Sequence, residues 1–259
     1  MPIQGFAEFE FDLPKALKAE LIRLLDAMGS APLTQATTCE LADAQGVYQL
    51  FYNDVLMYVG KTDAESGLRT RLTRHARKVL QRPTLTGAVT FKAVRILVFT
   101  AMDLETQLIQ HYREVSGAAS VPWNGSGFGS NDPGRRRELT NKNPDGFDAQ
   151  HPIDIDRQAG WLQPGTMIIA EALADLKSAL PYTLRYETLL NAQGRAQRGQ
   201  PHPDLLAATV IIPPPPQTVR NLMRLFCVGL GPDWQATVFA SHVILYKEET
   251  RYRFGDRIN

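Results

Sequence analysis

Cysteine is scarce in this sequence: Cys39 and Cys227 are the only two among 259 residues. Neither stands in a CxxC or Cys/His spacing, which excludes a zinc finger or zinc ribbon. Two unclustered cysteines suit a reducing cytoplasm, and both are expected as small buried apolar residues. Long hydrophobic runs are missing too. None nears the roughly 20 residues that span a bilayer, so no membrane partner is expected. The first residues lack the basic and apolar segments of a secretory signal. Charge of one sign is also missing, since the formal net charge is +1. A nucleic-acid partner must therefore be recognised by local clusters and not by the total. No internal repeat is found.

What is present is the composition of a globular protein, 44% hydrophobic and 21% charged. The length suits one large domain or a core with extensions. Residues 12–28 have leucines at helical spacing, with Asp12 as cap and Pro14 in the first turn. GVYQLFYNDVLMYVGK (46–61) holds two alternating apolar runs around Asn53-Asp54, a hairpin signal. A helix is expected over 68–80 and a strand over 90–99. Asp103 is expected to cap a helix running to about Arg113. Residues 116–148 are rich in Gly and Pro and read as a long functional loop. Beyond 150 the pattern predicts a helix at 166–180, a polar loop at 191–204 and a strand at 206–212. A stiff PPPP connection, a helix at 217–229 and a strand at 235–246 follow.

The helix after Gly67 carries one basic stripe: Arg71, Arg74, His75 and Lys78 share a face. Six Lys/Arg and no acid lie between Gly67 and Arg82. A solvated basic face is the ordinary reading of such a run. A like-charge stripe at helical spacing is self-repulsive, however, and a phosphate would relieve it. Taken singly, Glu105 reads as a helix-dipole acid and Asn124 as a turn residue. Tyr52 and Phe51 read as packing residues, as do His111 and Tyr112 on the Asp103 helix. His151, His202 and His242 show no ligand spacing.

In order, the chain holds Gly46-Val47-Tyr48, Tyr58-Val59-Gly60, Lys61, Arg71, His75, Glu105 and Asn124. This order resembles the GIY-YIG nuclease family, with valine for isoleucine at the middle positions. It covers about 46–125. The GFGSNDPGRRRE segment (127–138) and the flanking regions resemble one branch, type II restriction endonucleases that cut the palindrome CCGCGG. The resemblance implies an α+β fold: a small mixed or antiparallel three-stranded sheet flanked by helices. It also implies an N-terminal helical extension over 1–45, a nuclease core over 46–148 and a C-terminal α/β extension over 149–259. The implied activity is phosphodiester hydrolysis with one Mg²⁺, for which Mn²⁺ could substitute, held by Glu105.

Such hydrolysis needs a deprotonated water and stabilised phosphoryl oxygens. A single carboxylate suits Mg²⁺, which keeps most of its waters. Arg71 is expected as a phosphate clamp, its planar fork matching phosphate oxygens. Tyr48 is the candidate general base or water-orienting group, and the sequence leaves open which of Tyr48 and Tyr58 takes the proton. A phenol titrates near pH 10, so nearby positive charge from Lys61 and Arg71 is needed. His75 is expected to relay the proton or contact the phosphate, Tyr58 to position the water, and Asn124 to hold Glu105 or the backbone in place. Arg74 and Lys78 are expected to contact DNA. Arg135, Arg136 and Arg137 are expected either on guanine edges or on phosphates. Arg195 and Arg198 are second choices. A palindrome calls for a homodimer on double-stranded DNA, with a cognate DNA methyltransferase as genetic partner. Alternatives are a GIY-YIG repair or mobile-element nuclease, or a catalytically inactive DNA-binding protein on the same core.

Overall fold

The structure is a computed structural model. It describes residues 5, 12–62, 66–97, 103–129, 134, 138–139, 146–191, 193 and 196–258. The chain folds as α+β in two compact units. Residues 1–76 and 87–124 form the first, and residues 77–86 and 125–259 form the second. This division does not follow the expected segments at 45/46 and 148/149.

The first unit opens with α1 (Leu13–Ala27). Asp12 caps it by accepting a hydrogen bond from the Lys15 amide at 2.9 Å, and Pro14 sits in the first turn. The segment before residue 46 is part of the core. Leu21 and Leu25 of α1 pack with Val47, Val59, Leu104, Leu108 and Val121. A two-residue strand β1 (Ala31–Pro32) and a short helix α2 (Gln35–Cys39) follow; neither was expected, because each is too short to show a period. Cys39 is exposed, contrary to expectation, whereas Cys227 in the second unit is buried.

The hairpin is β2 (Gly46–Tyr52) and β3 (Val55–Lys61), and β4 (Val89–Arg95) completes a sheet of order β1-β4-β2-β3. All its pairs are antiparallel. Asn53 and Asp54 both have positive φ, 49° and 63°, which is the backbone a tight hairpin turn requires. The strand expected to reach residue 99 ends at Arg95, and residues 98–99 lie outside the described ones. Between β3 and β4 runs α3 (Leu68–Val79), which buries Leu68, Leu72, His75 and Ala76. Next comes α4 (Leu104–Ser116), where the Asp103 side chain accepts from the Thr106 amide.

The second unit contains α5 (Phe147–Gln150), β5 (Gln158–Ala159), β6 (Gly165–Ile168), α6 (Ile169–Ala179), β7 (Thr183–Tyr186), β8 (Thr188–Leu190) and β9 (Ala196–Pro201). It continues with α7 (Pro203–Ala207), β10 (Thr209–Ile212), β11 (Gln217–Thr218), α8 (Val219–Leu230), β12 (Trp234–Val238), β13 (His242–Lys247) and β14 (Asp256–Arg257). Its main sheet has order β14-β12-β13-β7, with β7 parallel to β13. Leu173 and Leu176 of α6 and Leu222 and Phe226 of α8 form a core with Leu184, Trp234, Val243 and Leu245 of that sheet.

Three expectations differ here. The single strand at 235–246 is two, β12 and β13, reversing at Phe239–Ser241 where the Phe239 amide bonds the His242 carbonyl. Both arms are buried on both faces, so little polar punctuation marks the turn. The polar stretch 191–204 is not all loop, because β9 pairs with β8. Its backbone satisfies a ladder without an apolar alternation that could announce it. The helix expected from 166 starts at Ile169, and β6 before it pairs with β10.

Candidate active site

The first unit's sheet places Tyr48 and Tyr58 on neighbouring strands. Tyr48 faces Gly60 in register, and its ring crosses over that glycine. A Cβ at Gly60 would stand 2.5 Å from the Tyr48 hydroxyl and 2.7 Å from the Tyr58 ring. Gly46 is equally tight: a Cβ there would lie 2.4 Å from the Val94 carbonyl oxygen. The two glycines are thus required by close approach and not by a turn.

α3 lays its buried face on these tyrosines. The Tyr48 hydroxyl and His75 Nε2 share a 2.8 Å hydrogen bond. The His75 ring centre is 5.5 Å from that of Tyr48 and 5.4 Å from that of Tyr58. One turn earlier, the Arg71 guanidinium stands within hydrogen-bonding reach of both phenols. Tyr48 and His75 are buried, at 0% and 1% exposure.

Burial raises the Tyr48 phenol well above its ordinary value, with repulsion from Tyr58 adding and Arg71 opposing. Tyr58 is raised by burial and then by the Glu105 charge. The electrostatics of this state therefore favour neutral phenols.

Glu105, in the first turn of α4, is half-buried. Desolvation lifts its carboxyl above the usual range, and Lys61 and Arg71 pull it back down. Lys61 has a partner of its own: its Nζ donates to Asp103 Oδ1 at 2.9 Å, both groups being half exposed. The amide and hydroxyl of Thr106 also donate to the Asp103 carboxylate, which is held down at about 2 by Thr106 first and Lys61 second. Lys61 thus spends its charge mainly on the start of α4, and the cations beside the phenols are Arg71 and, further out, Arg74. A pocket of about 210 Å³ is lined by Lys61, Thr62, Ser66, Arg71 and Glu105. Sequence reasoning missed Thr62 and Ser66. Thr62 accepts from the Gly46 amide at 2.8 Å, joining the ends of β2 and β3, and no local pattern announces that.

Asn124 holds backbone. β3 is an edge strand, and the side chain of Asn124 meets it as a strand would. Its Oδ1 accepts from the Val59 amide at 2.8 Å, and its Nδ2 donates to the Val59 carbonyl at 2.7 Å. The register of β2 and β3 shifts after Leu50, leaving Met57 as an extra residue. Its carbonyl is then available to the Trp123 amide, which donates to it at 2.9 Å. A bulge and one amide side chain thus dock the chain reversal that follows α4.

The basic stripe does not stay together. Arg74 is exposed. The Lys78 ammonium instead donates to the carbonyls of Gly127 and Phe128, at 3.2 and 2.9 Å, and lies 5.3 Å from the Phe128 ring centre. Arg82 donates to Asp148 at 3.0 Å and to the His151 carbonyl. Part of the self-repulsion is relieved within the second unit and needs no phosphate. Arg135, Arg136, Arg137 and Arg195 lie outside the described residues, as does the side chain of Arg198.

Other residues have structural posts. His151 bonds the Thr84 hydroxyl at 2.7 Å, and the Tyr112 hydroxyl donates to Asp26 at 3.0 Å. His202 caps α7 through the Asp204 amide. Among the described residues, no three His, Cys, Asp or Glu side chains group to hold a metal ion, and no helix is long and apolar enough to cross a membrane. Neither the protein-family models nor the curated proteins compared with this chain gave a match.

Proposed function

We propose that the chain is a GIY-YIG-type endonuclease that hydrolyses double-stranded DNA at a short GC-rich palindrome, CCGCGG, as a homodimeric type II restriction enzyme of the cytoplasm. The observation that carries the reading is the meeting of Arg71 and Glu105 in one small pocket, with Arg71 also in hydrogen-bonding reach of Tyr48, which shares its proton with buried His75. A cation and a carboxylate share an opening, with a proton path beneath it. That is the equipment phosphodiester hydrolysis requires.

The donor set fits one Mg²⁺. Glu105 offers a partly desolvated carboxylate to which, among the described residues, no hydroxyl or amide donor is bonded, unlike Asp103, which Thr106 and Lys61 occupy. One carboxylate suffices for an ion that keeps its waters and takes substrate oxygens. When bound, the ion neutralises charge developing on the phosphoryl and leaving oxygens. Mn²⁺ suits the same oxygen ligands.

The protein's own groups do the rest. Arg71 forks onto two phosphoryl oxygens, and its turn toward the phosphate uncovers the phenols it covers in this state. A standing Tyr48 phenolate is disfavoured by burial. The base is therefore the pair. The Tyr48 oxygen accepts a proton from the attacking water while its own proton passes to His75 Nε2 along the 2.8 Å bond. The water oxygen bonds to phosphorus, the phosphorus–oxygen bond to the leaving group breaks, the leaving oxygen takes a proton from solvent water, and His75 returns the proton it gained to solvent. Tyr58 orients the water.

Plasmid digestion tests the reading. Discrete Mg²⁺-dependent fragments mapping to one palindrome support it. Nicking without sequence preference points to a repair or mobile-element nuclease, and specific binding without cleavage to an inactive DNA-binding protein. A cytosine methyltransferase encoded beside the chain and protecting the same sites is the second check.

A further inference from the structure

The sheet of the second unit has one face packed on α6 and α8 and another face that is also buried, where Gln235 and Thr237 stand beside Ile244 and Tyr246. On the second face, Gln235 is 2% exposed and Thr237 is 1% exposed. The Gln235 amide is fully used. It donates to the Thr237 hydroxyl at 2.8 Å and to the Thr250 carbonyl at 2.7 Å, and accepts from the Thr250 amide at 3.3 Å. These bonds hold the segment after β13 against the sheet. Tyr252 holds it again, its ring edge-on to Phe239 and its hydroxyl bonded to Glu248 at 2.6 Å. Gly255 closes it, since a Cβ there would lie 2.7 Å from the Thr237 methyl. The result is a fixed concave pocket of about 770 Å³ between this segment and β12.

Arginines line its mouth. Arg251 and Arg253 flank the buried Tyr252 and are exposed. Arg257 pairs with Thr237 across β14 and β12, so it shares the face of the pocket floor. Among the described residues, neither Arg251 nor Arg257 has a carboxylate within ion-pair distance. Two carboxylates also line the pocket. They are Glu249 and Asp256, against the three guanidiniums of Arg251, Arg253 and Arg257. The guanidiniums of Arg251 and Arg257 on a concave wall suit phosphate oxygens, which guanidiniums bind in planar forks.

We propose that this pocket is a second DNA-binding site, in which Arg251 and Arg257 hold backbone phosphates of the duplex. The proposal rests on the nuclease reading above and extends it to a unit that has no catalytic group. Phosphate contacts of this kind add affinity and set register without reading bases.

The test uses the full chain, with Ca²⁺ replacing Mg²⁺ to hold off cleavage. Binding to a CCGCGG duplex and to a scrambled duplex is followed by fluorescence anisotropy over a NaCl series. Each phosphate contact contributes a slope of roughly 0.9 in log affinity against log salt. The Arg251→Gln/Arg257→Gln double variant is expected to flatten that slope by about 1.8 on both duplexes, with its melting temperature unchanged. The Arg251→Lys/Arg257→Lys variant is expected to restore it. A wild-type protein that cuts and binds DNA, beside a glutamine variant of unaltered slope, overturns the pocket assignment alone. Wild-type protein that neither cuts with Mg²⁺ nor binds overturns the nuclease reading and the proposal with it. Calorimetric binding of inorganic phosphate that the double variant loses, with the DNA slope unmoved, makes this a small-anion site and also overturns the proposal.

Discussion

The hydroxyl of Tyr48 lies 2.5 Å from the point where a Cβ on Gly60 would stand. The glycine of Tyr-Val-Gly is therefore the space into which the other tyrosine folds. Gly60→Ala must push Tyr48 off His75 or open the hairpin. We expect a loss of about 1–3 kcal/mol in stability from overpacking, and a cleavage rate that falls further than stability explains. Thermal melting and single-turnover cleavage, measured together, check this. A variant with native melting and native rate removes the close approach from the explanation.

Tyr48→Phe keeps the ring and deletes only the hydroxyl. Single-turnover cleavage should fall by two or more orders of magnitude, the usual worth of a positioned acid or base. DNA affinity should hold. Wild-type rates would take Tyr48 out of the proton path. His75→Gln should lose the rate in the same way, and the double variant should lose little more, because the two act as one unit.

Glu105 is held above the usual carboxylate range by burial, so two pH effects follow. Cleavage needs the carboxylate, so its acid limb should lie above the range of an ordinary glutamate. For stability the sign is opposite. A carboxyl whose folded pKa is raised destabilises the fold once ionised, as pH rises through that pKa. Glu105→Gln should therefore abolish Mg²⁺-dependent cleavage yet raise the melting temperature at pH 7, with the gain vanishing at acid pH. Melting curves at several pH values decide it. A lower melting temperature at pH 7 would contradict the assigned burial effect.

Asn124 gives one acceptor and one donor to the backbone of Val59. Asn124→Asp replaces the donor with an oxygen facing the Val59 carbonyl. A cost of about 1–3 kcal/mol is expected at neutral pH, with the catalytic rate falling and DNA affinity nearly unchanged. Hydrogen exchange at the Val59 amide should quicken; protection as in the wild type would show that the edge of β3 does not depend on this side chain.

Arg74 and Lys78 are neighbours on the helix with different fates. Arg74→Gln should flatten the salt dependence of DNA binding by about 0.9. Lys78→Met should lower the melting temperature, because the Gly127 and Phe128 carbonyls lose their donor. Its salt slope should match the wild type. The reverse pattern would place Lys78, and not Arg74, on the DNA.

Much of the site was legible because it is local. Asn53-Asp54 dictates a tight turn, and that turn, with the bulge at Met57, sets Tyr48 opposite Gly60 on the adjacent strand. Asp103 dictates where α4 starts, and so puts Glu105 in its first turn. Helical spacing puts Arg71 and His75 on one side of α3. What the linear pattern could not show was partnership across distance. Lys61 reads as a cation for the phenols until the fold gives it Asp103. Lys78 reads as a DNA contact until the fold turns it onto two carbonyls. The strand at 196–201 carries no apolar alternation, so only its partner makes it a strand. The order of residues thus determined the turns, the caps and the helix faces, because these follow from backbone conformations a few residues long. Tertiary structure alone decided which charges are spent internally, that both tyrosines are buried, and that among the described residues Arg251 and Arg257 have no carboxylate within ion-pair distance. Those outcomes depend on desolvation and on groups brought together from distant parts of the chain.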